Sequence, residues 1–260
     1  MTGAIAAISA LFGLLIGSFL NVVIWRVPRK ESVVAPPSHC PECETPIAPR
    51  DNVPVLSWLV LRGRCRHCGT HISARYPMVE LACGVLFAAL GARFAHSWAL
   101  PAYLVLGAEL LAISLIDLEH YLIPNRVIYP VGFMAVPLLA IGAAGDGHWW
   151  WFARALIGAA GAFAALFVIH IASPRGMGFG DVRLSFVLSL YLGYLGAVDV
   201  PFGIFLGFLY GAVVGLLLMA LGRRGRRQHI PFGPFLAAGA LTIVLFGGPV
   251  IDWYRGLGKA

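Results

Sequence analysis

Eight stretches of nearly unbroken apolar residues, each closed by a polar or turn-forming segment, divide this chain of 260 residues. They run roughly over 4–24, 79–94, 100–116, 127–143, 149–171, 184–198, 202–221 and 233–251. About 20 apolar residues carry a helix across a hydrocarbon core about 30 Å thick. The pattern therefore predicts about eight transmembrane helices, the second and sixth being near the lower limit. Lipid offers the backbone no hydrogen-bond partner, which leaves helices or a closed barrel. The runs lack the alternation of barrel strands. The fold class that follows is all-α, a polytopic integral membrane protein.

One segment breaks the pattern. Residues 25–78 are polar and rich in proline, arginine and cysteine, a small soluble module between the first and second spans. The expected organisation is an anchor over 1–24, this module over 25–78, and a membrane-embedded domain over 79–260. The first run has no basic residue ahead of it, and Arg26, Arg29 and Lys30 follow it, so it reads as a retained anchor and not a cleaved signal.

Composition sharpens this picture. Of the residues 59% are hydrophobic and 12% charged, where a soluble protein carries about a quarter charged. The net charge of +7 is explained by its distribution. With the amino terminus outside, the inner loops hold 15 of the 19 Lys and Arg residues. These are the eight from Arg26 to Arg75, then Arg126, Arg175, Arg183, and the cluster Arg223, Arg224, Arg226 and Arg227. Arg93, Arg154, Arg255 and Lys259 remain for the other side. The positive-inside rule then places both termini outside and the module in the cytoplasm. Nucleic acid is not needed to account for the basic balance.

The module carries Cys40-Pro-Glu-Cys43 and Cys65-Arg-His-Cys68, two CxxC pairs with 21 residues between them. Four thiolates so spaced close a tetrahedral zinc site. A reducing cytoplasm favours metal over disulfides, and Arg64, Arg66 and His67 are placed to favour thiolates. His39, His67 and His71 are spare ligands. Cys83 lies within the second span and reads as a core residue.

Two aspartates stand where apolar runs meet loops. Asp117 opens Asp117-Leu-Glu-His-Tyr-Leu-Ile-Pro-Asn125, and Asp181 closes Gly178-Phe179-Gly180-Asp181. Each alone has an ordinary reading: Asp181 as a helix cap, Asp117 as the solvated end of a span with Pro124 starting the next segment. Together, in a chain with twelve acidic residues, they point to an aspartic dyad, one carboxylate acting as base on water and the other as acid. Gly178 and Gly180 remove side chains next to it, allowing close approach or positive φ. The sequence has no HExxH and no GxSxG. Glu109 lies two turns before Asp117, a candidate for lining a cavity. Asn21 reads as a partner for another helix.

These strings resemble the bacterial type IV prepilin peptidases, the bifunctional leader peptidase/N-methyltransferases of the GxGD aspartic class. The resemblance runs nearly end to end. It rests on Gly17-Ser-Phe-Leu-Asn-Val-Val-Ile-Trp-Arg-Val-Pro28, the double CxxC module, and Ser73-Ala-Arg-Tyr-Pro-Met-Val-Glu-Leu81. Asp117 with Ile123-Pro124-Asn125, Gly176-Met-Gly-Phe-Gly-Asp181, and Ile230-Pro-Phe-Gly-Pro234 complete it. It implies Asp117 and Asp181 as catalytic residues and the four cysteines as a cytoplasmic zinc module. It further implies cleavage of a basic leader from prepilin or pseudopilin precursors at the inner membrane, then methylation of the new amino terminus with S-adenosylmethionine. Glu119 supplies the acidic group common two positions past the first aspartate, near which the basic leader is expected to lie. Arg183 stands where the family usually has Lys, and Asn125 where a second Asp is frequent. No glycine-rich S-adenosylmethionine fingerprint follows a strand, so a methylation site would form from the cytoplasmic loop and its flanking helices, with Glu80 as a possible member. A peptidase without methylation, like the archaeal preflagellin peptidases, and a non-enzymatic zinc-containing membrane scaffold are the alternatives.

Overall fold

The computed structural model describes residues 1–174, 176–222 and 230–257, of which 249–257 are described by backbone alone. Arg175, the cluster Arg223, Arg224, Arg226 and Arg227, and Lys259, all used in the charge reading, lie outside the described residues. The described residues are helical apart from loops and two isolated bridges. They form two compact units, residues 1–96 and 97–260. Six helices are long and apolar enough to cross a membrane; the other two of the expected eight runs coincide with shorter or partly described apolar helices.

The first unit pairs α1 (Thr2–Arg26) with α3 (Arg75–Arg93). The pairing depends on small residues. A Cβ on Gly17 would lie 2.7 Å from the Glu80 backbone, and one on Gly13 2.7 Å from Phe87. Without a hydrophobic drive between helices in lipid, such close backbone approach supplies the packing energy. Asn21 donates to the Tyr76 carbonyl of α3 at 3.1 Å, the interhelical role read from the sequence. α3 begins at Arg75, four residues before the apolar run, because its first turn is polar. Between the two helices lies the cysteine module, with a 3-10 turn at Pro49–Asp51 and the short helix α2 (Leu56–Val60).

The second unit contains α4 (Leu100–His120), α5 (Asn125–Gly145), α6 (Trp149–Ala172), α7 (Phe179–Leu195), α8 (Asp199–Ala220) and α9 (Gly233–Leu257). The 17-residue α7 is its centre and packs against all five other helices. Val182, Leu184, Leu188, Leu190, Tyr191 and Leu192 are all buried. Enclosure by protein explains how so short a helix can carry Asp181, Ser185 and Ser189 on its buried surface.

Arg154 of α6 closes the far end of α7. Its guanidinium donates to the carbonyls of Gly193 (2.7 Å), Tyr194 (2.5 Å) and Leu195 (2.8 Å), the acceptors that a helix C-terminus leaves unpaired. Arg154→Met is expected to destabilise the unit by about 2–3 kcal/mol, since charged hydrogen bonds are lost and buried carbonyls left unmatched. A lowered melting temperature in detergent, with the cysteine module unaffected, is the check.

Candidate active site

In the first unit, the two CxxC turns fold alike. Cys40 N–H donates to Thr45 O and Cys65 N–H to Thr70 O, and the residue after each second cysteine, Glu44 or Gly69, takes positive φ. The four Sγ atoms lie within 4.8 Å of one another, with Cys40–Cys68 at 3.7 Å and Cys43–Cys65 at 4.0 Å. A tetrahedral zinc with bonds of about 2.3 Å requires sulfur–sulfur edges of about 3.8 Å. The donor set therefore fits zinc, and no histidine joins it among the described residues.

Hydrogen bonding from Thr45 holds the Cys43 thiol down at about 6. The Thr70 N–H favours the Cys68 thiolate, yet desolvation and the other sulfurs push it up to about 12. Four thiolates together thus need a cation among them. Arg66, expected to support the thiolates, instead forks onto Asp51 at 2.6–3.0 Å and holds that carboxyl below its ordinary range.

In the second unit, α4 runs on to His120, so Asp117 sits inside its last turn, 4% exposed, and not at a solvated end. Asp117 Oδ2 accepts from the Gly233 N–H at 2.9 Å, at the start of α9. α7 likewise begins at Phe179, earlier than the apolar run, because its first turn holds Asp181 and Arg183 follows directly. Asp181 is the third residue of the helix and not its cap. It is 9% exposed, and its Oδ2 accepts from the Gly178 N–H at 3.2 Å.

Ile123 lies between the two sites. A Cβ on Gly180 would come within 3.1 Å of Ile123, and one on Gly233 within 3.4 Å of Ile123 and 2.8 Å of Asp117 Oδ2. Asp181 lies within reach of the charge on Asp117. The fold thus carries two buried carboxyl groups, 64 positions apart in the chain, into the neighbourhood of Ile123.

The supporting residues divide. Gly178 has φ −70°, so positive φ is not its purpose; Gly180 instead makes room for Ile123. Pro124 precedes the first turn of α5 and its carbonyl accepts from Val127 and Ile128. Arg183 donates to the Asn125 side chain and stacks 4.9 Å over Phe179, so the two departures from the family pattern are each other's partners. Glu119 is exposed beside His120, 3.9 Å away. Glu109 is sealed within α4, neither oxygen hydrogen-bonded among the described residues. It lies about 12 Å along the axis from Asp117, too far to share its proton. The residues that sequence reasoning missed are Ile123 and Gly233. Both sit in strings that carried the resemblance, but neither bears reactive chemistry.

Comparison with known proteins shows the family of the chain. The Bacterial Peptidase A24 N-terminal domain matches residues 11–94, and the Type IV leader peptidase family matches 104–220. A prepilin leader peptidase/N-methyltransferase of Bacillus subtilis (strain 168) is 37% identical, over 94% of this chain and 95% of its own. Proteins of the same name from Aeromonas hydrophila and Stutzerimonas stutzeri are 36% and 33% identical, over 94% and 93% of this chain and 91% of each of theirs. No solved structure matches. With both units matched and relatives of full-length similarity, this multi-pass membrane protein belongs to the type IV leader peptidase family.

Proposed function

We propose that the protein removes the leader from prepilin or pseudopilin precursors with Asp117 and Asp181, then methylates the exposed amino terminus. The observation that supports the proteolytic reading is two buried carboxyl groups whose neighbouring glycines, Gly180 and Gly233, both approach Ile123. One carboxylate takes a proton from water as it attacks the scissile carbonyl. The other, protonated, donates to the carbonyl oxygen and later helps the amine leave. The Gly233 and Gly178 N–H groups fix Oδ2 of Asp117 and Asp181, respectively. Orientation is thereby set before substrate arrives.

The charge distribution supports a site on the cytoplasmic side of the bacterial inner membrane, with both termini outside. The peptidase chemistry belongs to the membrane-embedded domain over 79–260 of the sequence reading. Within it, all the residues named for cleavage fall in the second unit. The first unit, with its zinc held by Cys40, Cys43, Cys65 and Cys68, is assigned to methylation, and Glu119 to the basic leader. S-adenosylmethionine, when bound, would supply the methyl group that the new amino terminus takes up.

The test is mass spectrometry of a synthetic precursor after incubation with the purified, lipid-reconstituted protein. A trimmed product heavier by one methyl group is expected; an untouched precursor would refute the reading. A narrower prediction concerns Gly233→Ala. Its Cβ would meet Asp117 Oδ2 at 2.8 Å and displace the carboxyl. A misplacement of this kind lowers turnover by about a hundredfold, with KM little changed, in a continuous cleavage assay.

A further inference from the structure

At the inner end of α1 the first unit contains a groove of about 320 Å³, lined among others by Ser18, Phe19, Arg26, Pro36, Asn52 and Pro54. This is the size of a small-molecule site and not of a docked helix. Its charged lining residue is Arg26, 8% exposed. The guanidinium donates to two loop carbonyls, Ser32 O at 3.0 Å and Pro36 O at 2.7 Å, and meets no carboxylate among the described residues. A buried charge held only by neutral acceptors calls for an anion.

A second observation concerns the opposite wall. Val55, next to Pro54, has φ 61° and ψ −48° at the centre of a tight turn in which Leu56 N–H reaches Pro54 O. For a β-branched residue this is a strained conformation, which persists only where neighbours enforce it. Glu80 enforces it from α3, accepting from Val55 N–H at 2.7 Å, with Ser18 beside the same carboxylate. The wall bearing Asn52 and Pro54 is thus fixed in advance. That gives Glu80 a positioning role and leaves Arg26 to meet the ligand.

We infer that this groove is the S-adenosylmethionine site, with Arg26 taking the donor's carboxylate and Ser18 and Asn52 its polar edges. The inference rests on the methylation reading above. The donor carries one carboxylate for the one unmatched guanidinium, and a flat purine for walls of proline and Phe19.

The test is equilibrium binding of S-adenosylhomocysteine to the full-length protein in phosphatidylcholine nanodiscs, alongside the methylation assay. Arg26→Met is expected to weaken binding about ten- to a hundredfold, and Arg26→Lys to recover part of it, since charge returns without the fork. Because Arg26 also holds loop carbonyls, Val22→Trp is the second variant. It fills the groove from a half-buried position on α1 and leaves those contacts in place. Loss of binding in both, with zinc content retained, is the expected result. Wild-type affinity in Val22→Trp overturns the inference, whatever Arg26→Met does. Unchanged affinity in both overturns it too, and altered retention of phosphatidylglycerol would then assign Arg26 to a lipid phosphate. A wild type that neither binds S-adenosylhomocysteine nor methylates removes the methylation reading itself; one that methylates while both variants bind normally removes only the groove.

Discussion

Asp117→Asn and Asp181→Asn are each expected to reduce leader cleavage by about 10³- to 10⁴-fold, the range that proton transfer by a positioned group contributes. The amide is nearly the same shape, and its oxygen can accept the bond from Gly233 or Gly178 that now holds the carboxylate. Fold and substrate contact are therefore preserved while the proton chemistry is removed. The double substitution should be no worse than either single one, because residues that act as a unit lose their effect together. Mass spectrometry of the product, with melting temperature as the folding control, gives the answer. Appreciable cleavage by either single variant would mean that the pair is not the catalytic machinery.

The second large effect concerns the metal. Stripping the protein with a strong chelator, or changing Cys43 to Ser, should unfold residues 39–72 while α4–α9 keep their protection. Between those positions only Cys40 and Gly63 are buried, so no apolar core holds the segment together. Trp58, packed over Gly63 and donating to Ile72 O at 3.0 Å, is the one Trp, Tyr or Phe in the segment. Structural zinc binds such modules with about 10–16 kcal/mol, which here must supply most of the folding energy. Hydrogen exchange should show amides of 39–72 exchanging at the rate of an unfolded chain after chelation and regaining protection when zinc is added. Protection that persists in the zinc-free protein would show that the loops fold without metal.

How far the chain could be read in advance differs from one feature to another. The helices were legible because lipid leaves only long apolar runs, but their polar first turns were not. α3 starts at Arg75 and α7 at Phe179, each several residues ahead of the run. The four-cysteine cluster was legible in the spacing of its thiols alone. The aspartates were legible as chemistry and not as geometry. What surrounds them includes Ile123 and a backbone N–H of Gly233, and neither an aliphatic side chain nor an amide proton marks itself in a sequence. The contact between Arg183 and Asn125 was hidden for the same reason, although each was visible singly as a departure from the family pattern. Gly13 and Gly17, four apart and facing α3, were a readable signal of close helix packing that a search for reactive groups passes over.

The enclosure of α7 has a consequence for how the protein is made. A segment of 17 residues that opens with Asp181 and Arg183 is a poor passenger for the translocon, being short for a hydrocarbon core about 30 Å thick and charged at one end. On its own it would linger at the exit gate. Its neighbour α6 is longer, strongly apolar, and already carries in Arg154 the clamp for the end of α7. The two are therefore expected to leave the translocon as a hairpin, the first helix sheltering the second until α8 and α9 arrive. The aspartate proposed for the proteolytic chemistry is thus expected to be delivered to the bilayer by its companion and not by its own affinity for lipid.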